Sequence, residues 1–146
     1  KLIYPTPKGA ALTEKGGKFL NKIKEKIPEL PKAIDAQSYT DSGLYKNIYH
    51  NRYYLAIVVK KASSKIRDGV EQRDVAVKAG ALGATTLVQK NKQLLFPLTW
   101  QEIKKEFENY LKKFFDIDEE DAIIICFAPS QVQAENAALA VALSLL

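Results

Sequence analysis

In 146 residues the chain has no methionine, one cysteine, one histidine and one tryptophan. A lone Cys126 forms no intramolecular disulfide, so oxidation is not expected to hold this fold together. Zinc sites of the usual kind need four Cys/His ligands, and one of each cannot supply them. A Ser-His-Asp triad would have to use His50, and no Gly-x-Ser-x-Gly elbow presents a serine to it. Cys126 lies inside an apolar run, where a thiol behaves as a small inert hydrophobe rather than a nucleophile.

Long apolar runs are missing as well. The most apolar stretch, residues 137–146, is far shorter than the roughly 20 residues of a membrane helix. Residues 1–13 carry no secretory leader pattern, and the expectation is a soluble cytoplasmic protein.

Phosphate-binding signatures fail at defined positions. A phosphate loop needs Gly-x-x-x-x-Gly-Lys-Ser/Thr, whose glycines let backbone amides wrap the anion. Gly17-Lys18 is present, but the other two required positions are Leu12 and Phe19. Gly80-Ala81-Leu82-Gly83 follows a helical pattern rather than a strand, unlike a dinucleotide fingerprint. The acidic run 116–121 is not an EF-hand loop, because the sixth and twelfth positions are Asp121 and Phe127 instead of Gly and Glu. No cofactor and no metal are expected.

What the chain does have is ordinary globular composition, 47% hydrophobic and 27% charged, at a length typical of one domain. A single domain over 1–146 is expected. Its net charge of +5 is uneven: residues 1–92 hold 18 basic and 8 acidic side chains, residues 93–146 hold 4 and 9. A basic body suits an anionic partner.

Hydrophobic spacing orders the elements. Leu2-Ile3-Tyr4 reads as an edge strand; Thr13 caps a helix whose apolar face is Leu12, Phe19, Leu20, Ile23 and Ile27. Pro28 and Pro31 end it. Residues 29–43 read as a long irregular loop, of the kind that often forms a lid or binding loop. A hairpin is expected from 44–49 and 53–60, turning at 50–52, then a helix over 64–82 that Gly69 interrupts and Gly83 terminates. A second hairpin follows from 85–89 and 93–98, and Thr99-Trp100-Gln101-Glu102 has the form of a capping box. Behind the box, Trp100, Ile103, Phe107, Leu111 and Phe114 define a buried helical face. A strand at 122–127 and a last helix opened by Ser130 complete the order β-α-β-β-α-β-β-α-β-α. The class is α/β, more closely mixed α+β, with a mixed sheet of about five to six strands and helices on one or both faces.

Two sites are expected. The first is the strand–helix junction at Ser130 and Gln131, where helix amides meet an anion such as a phosphorylated small molecule or nucleotide. Lys60 and Lys61, at the end of the other apolar strand, would add charge. The second is the segment 45–73, where Tyr45, Lys46, Tyr49, Arg52, Lys65 and Arg67 interleave rings and cations in the manner of nucleic-acid binders. A third expectation is assembly. The final helix is apolar on nearly all sides, which points to a homo-oligomer through that helix.

Overall fold

The computed structural model describes residues 1–44 and 52–146. In chain order the elements are β1 (Ile3–Thr6), β2 (Gly9–Leu12), α1 (Glu14–Lys26), β3 (Lys32–Ala33), α2 (Ala36–Asp41), β4 (Tyr53–Val59), α3 (Val70–Lys78), β5 (Gly83–Lys90), β6 (Gln93–Leu95), α4 (Lys105–Phe114), β7 (Ala122–Ala128) and α5 (Gln131–Ser144). The nine elements from β3 onward build a body around a five-stranded sheet ordered β3-β4-β7-β5-β6, while among the described residues β1 and β2 pair only with each other.

The sequence of β7 explains why it lies at the centre. Its side chains alternate between two apolar layers: Ala122, Ile124 and Cys126 on one face, Ile123, Ile125 and Phe127 on the other. With both faces covered there is no polar alternation to read, and the strand appears as a continuous apolar run. The first layer joins it to Ile27, Ala76, Ala137, Val141 and Leu145, so the end of α1, α3 and α5 cover that face. The second contains Tyr39, Phe107 and Leu111 from α2 and α4.

The α+β class and the five-stranded sheet agree with expectation, and helices cover both faces. The pairing is antiparallel throughout rather than mixed. The strands β4 and β5, joined through α3, do run parallel, but β7 enters between them and pairs with each in the opposite sense.

Several local expectations are corrected. Residues 29–43 are not structureless: they hold β3 and α2, with Asp35 capping the Ser38 amide. Ile34 and Tyr39 flank that cap at the positions of a hydrophobic staple and are both buried. The helix expected over 64–82 is a short 3-10 turn at Ser63–Lys65 and then α3, separated by Gly69 at φ +87°. The left-handed glycine after α3 is Gly80, at φ +107°, whereas Gly83 opens β5.

The capping box does not form. Trp100 adopts φ +55°, Glu102 bridges Leu95, and α4 begins at Lys105. Its inward face is Phe107, Leu111 and Phe115, spaced by four, so Phe114 and Trp100 are about half exposed. The first strand and turn of the expected hairpin, residues 44–52, fall outside the described residues except for Leu44 and Arg52, neither of which is in a strand. The second strand is β4.

Candidate functional site

At the strand–helix junction Ser130 caps α5, as its sequence implies. Its Oγ accepts from the Gln133 amide at 3.2 Å and donates to Gln133 Oε1 at 2.9 Å. The Gln131 side-chain amide donates to Glu135 Oε1 at 3.1 Å. Both side-chain donors expected to meet an anion are thus engaged within the helix, and Glu135 brings a negative charge beside them.

Lys60 and Lys61 are not at this end of the sheet. Tyr53 lies opposite Ala128 and Val59 opposite Ala122, so the lysines stand beside the entry to β7 while Ser130 follows its exit. Six steps of strand separate the two places, roughly 20 Å. The structure does not bring the four residues together.

Lys60 and Lys61 instead hold the acidic turn. The Lys60 ammonium lies 2.8 Å from Asp121, 3.2 Å from Asp118 and 2.9 Å from the Asp116 carbonyl. The Asp121 carboxylate is fully buried and also accepts from the Lys61 and Asp118 amides at 2.9 and 2.8 Å. Burial pushes the Lys60 ammonium down, but Asp121 and Asp118 outweigh it and hold its pKa above the ordinary value. Glu119 receives the Asn91 and Lys92 amides at the β5–β6 turn, where both residues are left-handed. Glu120 meets Lys90 and Ser63, and these two hold its carboxyl below the usual range. Here acids and lysines clamp a turn.

Of the second expected site, Tyr45, Lys46 and Tyr49 lie outside the described residues. Arg52 precedes β4 and is partly buried. The Lys65 ammonium donates to the Leu145 carbonyl at 3.2 Å, and Arg67 pairs with Glu71 and Asp68, each at 3.8 Å. Arg67 keeps most of its surface free, but Lys65 is tied to the end of α5. Cys126 is fully buried, and burial pushes its thiol up to about 12, far from a nucleophilic thiolate.

Sequence reasoning missed where the net charge resides. Residues 1–26 contain seven lysines and two glutamates; residues 27–146 contain fifteen basic and fifteen acidic side chains. The whole +5 therefore belongs to the β1–β2 hairpin and α1. On α1 the lysines at 15, 18, 22 and 26 recur every three or four residues and form one stripe. Lys15, Lys18 and Lys22 are exposed, as are Lys1 and Lys8, the last at the tip of the hairpin. Among the described residues only Glu14 partners one of them, Lys18, across largely solvated surface at 3.4 Å. A charge count over windows of about one helix and turn, rather than over two-thirds of the chain, is the signal that would have found it.

Hairpin and helix are locked as a unit. The Thr13 hydroxyl donates to the Lys1 carbonyl at 2.7 Å and accepts from the Gly16 amide at 2.9 Å. Gly16 lies against Leu2, and a β-carbon there would fall on the Leu2 carbonyl. Tyr4, Leu12 and Phe19 remain solvent-exposed on this unit.

Elsewhere a cavity of about 590 Å³ opens between α2 and α4, lined by Ser38, Asp41, Ser42, Lys104, Glu106, Phe107 and Tyr110. Three of these residues, Ser38, Asp41 and Ser42, fall in the segment 29–43 expected to be a loop.

A family model described as a domain of unknown function, DUF4443, matches residues 50–145. This chain belongs to the DUF4443 family. The match spans β4 to α5 and so covers most of the sheet, while the basic hairpin–helix unit and the α2 wall of the cavity lie before it. Among solved structures, the hypothetical protein PH0730 from Pyrococcus horikoshii OT3 is similar over 99% of this chain and 68% of its own, with 28% identity and a TM-score of 0.64. That likeness extends over the unit that the DUF4443 match omits. No curated protein matches. Among the described residues no helix is long and apolar enough to cross a membrane.

Proposed function

We propose that this DUF4443 protein binds nucleic acid through the β1–β2 hairpin and the lysine stripe of α1. The observation that carries the reading is the confinement of the entire net charge to residues 1–26 of one locked unit, with every lysine there except the half-buried Lys26 exposed. Lysines spread over a body that is otherwise neutral would be a solvated surface. Lysines gathered on one helical face beside a projecting two-stranded hairpin present a positive strip to a polyanion. Exposed Tyr4 and Phe19 lie on the same unit and offer ring faces to sugars or unpaired bases. Phosphate contacts of this kind give affinity without sequence choice, because every phosphate is alike.

Fluorescence anisotropy with duplex and single-stranded oligonucleotides over a salt series tests the reading. The expected result is an affinity falling steeply with salt, with a slope reduced by about one for each of Lys15→Ala, Lys18→Ala and Lys22→Ala that removes a phosphate contact. Substituting Lys60 or Lys61 should leave the slope alone. An affinity indifferent to salt, or unchanged by the three α1 substitutions, would sink the proposal.

A further inference from the structure

We infer that the cavity between α2 and α4 is a binding site for a small organic ammonium compound with an apolar body. It lies on the body, away from the basic unit, and does not depend on the nucleic-acid reading. At about 590 Å³ it falls in the size range of small-molecule sites. Its floor is aromatic: Phe107 is buried, and Tyr110 stacks on it with ring centroids 6.1 Å apart and planes 11° from parallel.

The charges around this floor favour a cation. Asp41 and Glu106 place two carboxylates on the wall, and Glu106 makes no hydrogen bond or ion pair among the described residues. Among the described residues that line it, the one opposing ammonium, Lys104, is held by the Asp41 carbonyl at 2.8 Å. Tyr110 accepts the Asp35 amide at 2.7 Å, which leaves its phenolic hydrogen as a donor. An ammonium group meets the unpaired carboxylate and the ring faces, both of which attract cations, while its apolar part covers Phe107. A ligand that also carries a carboxylate would set it toward Lys104. An anion without an ammonium would meet two like charges and one tied lysine.

Titration calorimetry and thermal melting of the whole protein distinguish these cases with four probes: 2-phenylethylamine, phenylalanine, 2-phenylethanol and 3-phenylpropionate. The amine, the amino acid or both should bind and raise the melting temperature, with the alcohol at least about fivefold weaker and the propionate weakest. Glu106→Gln should weaken the amine about two- to fivefold, and Glu106→Gln with Asp41→Asn about tenfold. Glu106 is exposed and unpaired, so the single variant should melt with the wild type, which separates lost binding from lost folding. Binding of the propionate as tightly as the amine, an amine affinity untouched by the double substitution, or no binding of either ammonium probe up to about 10 mM would each overturn the inference.

Discussion

The body around the five-stranded sheet and the β1–β2–α1 unit solve the same problem with different means. In the body, apolar side chains from seven-residue strands are covered on both faces, and even its charges are arranged as internal fastenings, with Asp121 fully buried against Lys60. In the unit, a two-stranded hairpin exposes Ile3, Tyr4 and Leu12, and its helix reaches the core only near its end, through Ile23 and Ile27. A hairpin alone is marginal in water, so here its hold comes from the Thr13 hydroxyl and the close seat at Gly16. Packing fixes the body, and polar fastening with positive charge characterises the unit.

One residue type tested in both regions gives the sharpest contrast. Phe107→Ala, which opens the layer beneath α4, should cost about 3–5 kcal/mol in denaturant melts. Phe19→Ala on α1, where the ring is 42% exposed, should cost less than about 1 kcal/mol. Equal losses would mean that the unit is as deeply packed as the body.

Gly83→Ala should fall between these. An added β-carbon would lie 2.6 Å from the Phe127 ring, so strand or ring must shift, for a loss of about 1–3 kcal/mol by calorimetry.

A smaller effect should appear in acid. Glu108 is buried under the β5–β6 hairpin, where it accepts the Leu94 amide at 2.6 Å and meets Lys105 at 2.7 Å. Burial pushes its carboxyl up, but Lys105, the Leu94 amide and Lys112 together hold it below its ordinary value of 4.5. A carboxylate depressed in the folded state adds stability that is complete above the unfolded value and disappears as pH falls through the folded one. Melting temperatures should therefore drop below about pH 4.5 with a slope that Glu108→Gln reduces, at a cost near neutrality of about 1–2 kcal/mol. An unchanged acid limb would place the titrating group elsewhere, and the unit, whose charge is mainly lysine, should contribute little to it.

The smallest stability effect is expected for Lys15→Ala, Lys18→Ala and Lys22→Ala combined. Three exposed lysines removed from one stripe should move stability by less than about 1 kcal/mol while changing oligonucleotide affinity most of all. A large loss of stability would show that the stripe serves folding.

The two central strands were legible because a seven-residue apolar run leaves few alternatives, whereas the short β2 and β3 carry no such run and were not read. Both central strands, the Asn91-Lys92 turn and the Thr13 and Ser130 caps could be read from local chemistry. Where a local motif competed with a distant partner, the distant partner prevailed. Thr99 to Glu102 has the letters of a capping box, but pairing of Glu102 with Leu95 and hydrogen bonding of the Phe96 amide to Gln101 hold it as an irregular return. Phe114 and Phe115 are equally apolar, and only the position of α4 on the sheet selects Phe115 for burial. The Ser130–Lys60 site failed for a topological reason: two strand ends that look alike in sequence lie at opposite ends of an antiparallel pair. The Ile34–Tyr39 staple was readable, but the density of small polar residues between them masked it.

The lone thiol now acquires a use. Cys126 sits in the middle of β7, fully covered, with neighbouring strands on both sides and its proton held to about pH 12. No reagent reaches it while the sheet is closed. With no second cysteine to compete, it is a natural clock for the opening of the central strand. The rate at which a disulfide reagent captures it under native conditions would record how often the sheet parts, without any label being introduced.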